Sequence, residues 1–269
     1  MSAIAAVIAD IHCGHPAALW PREHVCNSGN VIAANAAQLK LLEYWRDFWS
    51  HAAGADYVIN LAESIEGYSP REHGSHNGVM TPDLDEQIRA VVSLIAPEVK
   101  KAEAIYLCVE GSKYHGSQDV MIERIICGEV QAQSGCHGHY FGYLGVWHPA
   151  DTEQTVLLTH KISGGMIYKA GPLDRWSLYI SSTQHKTGIS PGLVLSAHDH
   201  QFFITSTAHR IMVKAPSWKF WHPIKDASRW PFSQPTIGGL VIKIPERGRM
   251  EVIPYTYPLE HLYDAMMEM

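Results

Sequence analysis

Hydrophobic residues fall along the chain in two patterns. Short, largely apolar stretches, the mark of strands buried on both faces, occur at residues 3–9 (AIAAVIA), 56–61 (DYVINL) and 104–109 (AIYLCV). Between the first two, Leu39, Leu42, Trp45, Phe48 and Trp49 recur at helical spacing within residues 35–53, opposite a polar face of Lys40, Glu43 and Asp47. Thr81-Pro82-Asp83 predicts a helix start, and the apolar period then runs to about Lys101, with a bend expected at Pro97. A third helix is predicted over 118–131. Beyond it the chain becomes strand-rich, with runs at 140–147, 155–160, 193–198, 202–215 and 238–244. Residues 173–187 fit helix or strand equally. Residues 13–30 read as irregular, 67–77 as a Gly, Ser and His loop, and 259–269 as an amphipathic segment for packing or a homodimer contact. An alternating βαβαβα half followed by strands predicts an α/β fold, two stacked mixed β-sheets flanked by helices, with residues 1–269 as one domain.

Composition narrows the class. With 269 residues, 46% hydrophobic and 18% charged, the chain can bury a sizeable core, and dominant disorder is excluded. Every apolar run is broken by His, Asp, Arg or Gly before membrane-span length, so no membrane association is expected. MSAIAAVIADIH lacks a basic n-region and reads as a first strand, not a signal peptide. The net charge of -6 disfavours a binder that works by neutralising duplex phosphates. Five scattered cysteines suit a reducing, cytoplasmic compartment better than a disulfide framework. The unusual count is 17 His, which directs attention to metal ligation.

Candidate ligands recur just past predicted strands. Asp10-Ile11-His12 follows the first, Glu63 the second, and Ser112 and His115 the third. His160 ends TVLLTH, and His198-Asp199-His200 follows LVLSA. Ligands in open α/β sheets gather outside the carboxyl ends of strands, so these donors can converge on one point. Carboxylates with several imidazoles suit Mn, Fe, Zn or Ni rather than Ca or Mg. A carboxylate bridging two cations about 3.5–4 Å apart is an arrangement used on phosphate esters.

The order of these motifs carries a resemblance. DIH at 10–12, a GD-like element at 62–67, a Gly-initiated turn at 111–115, His160 and a GHxH-like element at 197–200 resemble the calcineurin-like metallophosphoesterases over Asp10 to His200. DIHCGH (10–15) and GSKYHG (111–116) look most like phage and prophage members. The resemblance implies an αββα sandwich and two divalent transition-metal ions, Mn2+ first, with Fe, Zn or Ni as alternatives. It implies Asp10, His12 and His200 on one metal, Glu63 bridging, and His160 and His198 on the second, with Ser112 where many members have a ligating Asn. His115 takes the place of the histidine that contacts the phosphate and protonates the leaving oxygen. A hydroxide between the metals would attack phosphorus in line. The implied activity is phosphoester hydrolysis, preferentially of a diester in nucleic-acid ends or nucleotides, in a bacterial or phage-infected cytoplasm. Phosphomonoester hydrolysis is an alternative, and a degenerate protein-binding scaffold is another. Two departures bear on the scaffold reading. Glu63 stands where the family has Asp, after Ala62 instead of Gly, and Ser112 offers only a neutral hydroxyl.

Other motifs have simpler readings. Cys136-His137-Gly138-His139 lacks a partner pair for structural zinc and reads as a loop near a hairpin. Cys13 has no evident base or orienting partner and reads as a packed thiol. WKFWHPIKDASRW (218–230) offers a basic aromatic strip for unpaired bases, or core. Lys161-Ile162-Ser163-Gly164-Gly165 could cradle phosphate or form a turn, and HGSH (73–76) reads as a loop.

Overall fold

The structure is a computed structural model that describes residues 2–67, 79–112, 121–162, 171–221 and 234–267. Its first sheet is built on β1 (Ala3–Ile8), β4 (Tyr57–Asn60), β5 (Ile105–Cys108) and β6 (Gly138–Tyr140), all parallel, with β12 (Ile237–Ile244) and β13 (Glu251–Tyr257) added antiparallel beyond β1. The second sheet has the order β10 (Phe203–Ser206), β11 (Ile211–Lys214), β9 (Leu193–Ser196), β8 (Val156–Thr159), β7 (Leu144–Trp147). Its three central strands are parallel and its two edges antiparallel. A small hairpin, β2 (Glu23–Val25) with β3 (Val31–Ala33), stands apart.

Strand alternation explains the layering. In β1, Ala5 and Val7 face the second sheet, among Val156, Leu158, Leu195 and Val213. Ala6 and Ile8 face the helices α1 (Ala36–His51), α2 (Leu84–Ala102) and α3 (Ile122–Ser134). The outer face of the second sheet takes α4 (Gly171–Thr187) through Leu173 and Ile180, and α5 (Glu260–Met267) lies against α1. The architecture is therefore two stacked mixed sheets flanked by helices. α1 brings Leu41, Trp45, Phe48 and Trp49 into its interface, each buried large side chain contributing ~1.5–3 kcal/mol. Its start is a capping box, in which the Asn35 side chain accepts from Gln38 N at 2.9 Å and Gln38 Oε1 accepts from Asn35 N at 3.0 Å. The same Gln38 amide donates to the carbonyls of His15 and Ala18, which ties the loop after β1 to the helix. No helix among the described residues is long and apolar enough to cross a membrane.

Several sequence expectations are corrected. The run 140–147 is two strands in different sheets, separated at Gly142, whose φ of 74° no strand residue adopts. The run 202–215 is a hairpin that turns at Thr207–Arg210, where Thr207 N donates to Arg210 O. Residues 13–30 contain β2, and β13 had no counterpart in the sequence reading. Cys136–His139 leads into β6, which pairs parallel with β5, so it is not beside a hairpin. Residues 173–187 are helical, and α2 continues through Pro97.

Candidate metal centre

The loops that carry the candidate donors leave the carboxyl ends of β1, β4, β5, β8 and β9, the central parallel strands of both sheets, so their side chains meet at one rim of the sandwich. Two overlapping groups result. Asp10, His12, Glu63 and His200 form one; Glu63, His160 and His198 form the other, and within each the donor atoms lie within 4.8 Å of one another. Glu63 joins them with separate oxygens. Its Oε2 is 3.2 Å from His12 Nε2, and its Oε1 is 3.1 Å from His160 Nε2. His12 and His200 approach through their Nε2 atoms at 3.2 Å, and His160 Nε2 is 3.1 Å from His198 Nδ1. Ser112 donates to Glu63 Oε1 at 2.5 Å. His115 lies outside the described residues, as do HGSH (73–76) and most of the Lys161–Gly165 segment.

The loops are held tightly and unusually. Asp10 N donates to Ala62 O, His12 N to Glu63 O and Cys13 N to Ser64 O, all within 3.0 Å, so the first two motifs run side by side as a pseudo-ladder. Of the eight non-glycine residues with positive φ among the described residues, six are here: Asp10, His12, Ala62, Glu63, His198 and His200. Left-handed backbone costs roughly 1–2 kcal/mol per residue with a Cβ, and such strain persists only where surrounding structure imposes it. Gly111 shows the crowding, since a Cβ there would sit 3.0 Å from Glu63 Cγ and 3.3 Å from Glu63 N.

A buried polar support lies behind the donors. His12 Nδ1 donates to Glu66 Oε2 at 2.8 Å, and the same oxygen accepts from Lys219 Nζ at 2.8 Å. His160 Nδ1 donates to the Leu61 carbonyl at 2.7 Å, and His198 N donates to Asp10 Oδ2 at 3.1 Å. Asn60 Nδ2 donates to Ser64 Oγ and Tyr106 Oη, while Ser64 donates from both N and Oγ to Glu123. Burial pushes the Glu123 carboxyl up to about 7. Asp199, between the two histidines of its loop, pairs with the buried Lys214. Trp221 lies against the His200 ring, centroids 5.0 Å apart. No sequence motif singles out Glu123; Lys219 falls in the basic aromatic stretch 218–230 with no signal for this role, and Glu66 lies in the 62–67 element three residues after Glu63.

The electrostatics fit a cation site. Burial and the Lys219 ammonium oppose a proton on His12, yet the Asp10, Glu63 and Glu66 carboxylates hold it up to about 10. Burial likewise opposes charge on His160, and Glu63 with Asp10 raises it to about 9. Burial, with the charges of His12 and Lys219, takes His200 down to about 3 against the pull of Asp10. Despite burial, the surrounding imidazoles hold Asp10 and Glu63 below the usual carboxylate range. Asp10 Oδ1 is buried with no hydrogen-bond partner among the described residues, though His200 Nε2 is 3.5 Å away. An orphaned carboxylate oxygen facing imidazole nitrogens is what a divalent cation would satisfy.

Two other motifs resolve differently. In the described part of 218–230, Trp218 and Phe220 are fully buried, Trp218 against Trp45 and Phe48, so these two belong to the core and not to a base-stacking strip. Cys13 is buried beside the first loop, and burial pushes its thiol well above the usual range, which suits a packed residue.

No protein-family profile and no curated protein matches the sequence. Solved structures that it resembles include an archaeal phosphodiesterase, 8% identical over 94% of this chain and 99% of that one, with a TM-score of 0.45. Vps29 from Entamoeba histolytica in complex with Zn2+ is 10% identical over 95% of this chain and 99% of its own, with a TM-score of 0.41. A hypothetical protein from Pyrococcus horikoshii is 10% identical over 99% of this chain and 93% of its own, with a TM-score of 0.44.

Proposed function

We propose that this chain is a metal-dependent phosphoesterase of the calcineurin-like metallophosphoesterase superfamily that hydrolyses phosphodiesters in nucleic-acid ends or nucleotides. The observation that carries the reading is Glu63, one buried carboxylate whose two oxygens face two separate sets of donors. Asp10, His12 and His200 with one of those oxygens would hold one divalent cation, and His160 and His198 with the other would hold a second, Mn2+ being the first choice. Cations bound there supply Lewis-acid polarisation of the ester and an acidified water nucleophile. The chain's own residues do the rest. Glu66 and Lys219 fix the His12 ring so that Nε2 faces inward, and the Leu61 carbonyl does the same for His160. Ser112 orients the Glu63 carboxylate through its short hydrogen bond. His115 is assigned the phosphate contact and the leaving-group proton. The preference for nucleic-acid diesters rests on the phage-type form of DIHCGH and GSKYHG, and with it the assignment to a bacterial or phage-infected cytoplasm.

The test is hydrolysis of bis(p-nitrophenyl) phosphate by chelator-stripped protein with and without Mn2+, with p-nitrophenyl phosphate as the monoester control. Turnover that requires Mn2+ and is faster on the diester is expected. A faster monoester reaction would convert the reading to a phosphatase. No turnover at any Mn2+ concentration would overturn it in favour of a protein-binding scaffold.

A further inference from the structure

A second cluster of metal-binding side chains lies away from the Glu63 centre. His24 is the one buried residue of β2, flanked by exposed Glu23 and Val25, and Cys26 follows two positions later on the same side of the extended chain. The turn that closes the hairpin fixes Cys26 at both ends, since its N–H donates to Asn30 O and its carbonyl accepts from Gly29 N, each at 2.8 Å. Glu86, in the first turn of α2, points inward at the same place, and its Oε2 is 2.7 Å from His24 Nε2. One donor atom from each of the three lies within 4.8 Å of the others. We propose that His24, Cys26 and Glu86 form a Zn2+ site that staples the β2–β3 hairpin to α2.

The donor chemistry and the needs of the hairpin both support this. Thiolate, imidazole and carboxylate are the three ligand types that Zn2+ takes, and a tetrahedral ion would draw them to roughly 3.5 Å separation, leaving a fourth position for water. Two strands of three residues each are too short to stand alone; Val25 and Val31 are exposed, and the hairpin's apolar docking rests on Ile32 against the core and the His24 ring against Trp20. Binding would release the Cys26 thiol proton and any proton on His24 Nε2. Arg89 also donates to Glu86 Oε2, at 2.9 Å, and would have to yield that oxygen. It is half-exposed, and its separate bond to Asn27 Oδ1 at 2.6 Å lets it stay in place.

The test is a Co2+ titration of the chelator-stripped full chain, read by the near-ultraviolet thiolate-to-Co2+ charge-transfer band. The Glu63 centre contains no thiol, so the band separates the two sites. We expect the band in the wild type and in His200→Ala, its loss in Cys26→Ser, and its disappearance when Zn2+ is added. Cys26→Ser should keep wild-type turnover with Mn2+, so failure here and failure of the phosphoesterase reading are distinguishable. Absence of the band at saturating Co2+, or a band that survives Cys26→Ser, would overturn the proposal.

Discussion

The two donor groups that meet at Glu63 differ in how their imidazoles are backed and how far they face solvent. In the first, His12 is backed by the Glu66 carboxylate, itself held by Lys219, and Asp10 adds a second buried carboxylate of its own. In the second, His160 is backed only by a neutral carbonyl, and His198 is 28% exposed. A carboxylate behind an imidazole raises its basicity as a ligand more than a carbonyl does. If cations bind as proposed, the group with the carboxylate-backed His12 would hold one more tightly, and the more exposed group would exchange one more readily. The His198 N–H to Asp10 bond connects the two, so the exposed half is aligned by the buried half.

That contrast can be broken experimentally, and the sharpest instrument is a pair of deletions. His200→Ala should lower Mn2+-dependent turnover on the order of 10³-fold, about 4 kcal/mol of lost stabilisation, and added Mn2+ should not restore it. His198→Ala should cost less, roughly 10–100-fold, and recover in part at high Mn2+. Equal, unrecoverable losses in steady-state assays would erase the distinction between the two groups.

The backing carboxylate gives a subtler test. Glu66→Gln preserves volume but removes the charge behind His12, and should weaken Mn2+ binding by roughly 10–100-fold in a direct titration. Unchanged affinity would mean that Glu66 only packs.

Acidity gives the smallest and most graded effect. His12, held up to about 10, and His160, held up to about 9, carry protons at neutral pH in the metal-free protein, so a cation must displace them. Apparent Mn2+ affinity should thus fall as pH falls, by about tenfold per unit for each proton displaced, and level off only above the higher of the two values. Calorimetry in buffers of different ionisation heat should show proton release on binding. A pH-independent affinity would contradict the arrangement.

Much of this molecule can be read without coordinates, for a physical reason. β1, β4, β5, β8 and β9 are buried on both faces, which forces nearly continuous apolar runs, and the donors stand shortly after them. The half-exposed edge strand β13 carries no such run and contains Pro254, and β2 and β3 are too short for any period to show. The hairpin of β10 and β11 turns through Thr-Ala-His-Arg, without Gly or Pro to mark it. α4 buries only Pro172, Leu173, Ser177 and Ile180, a stripe too narrow to separate helix from strand. The Lys219–Glu66 pair spans 153 positions, a distance no spacing rule covers.

The left-handed ligand positions bear on which ion the centre would accept. A donor at the end of a relaxed loop can follow a cation inward or outward, and so tolerates many sizes. Here Asp10, His12, Glu63, His198 and His200 sit on backbone already pushed into an unfavourable region, and the first loop is pinned to its neighbour, Asp10 to Ala62 and His12 to Glu63. Such a frame behaves as an aperture of fixed width. It would discriminate by ionic radius, admitting ions that accept bonds of about 2.0–2.2 Å and rejecting Ca2+, whose oxygen ligands stand at about 2.3–2.6 Å.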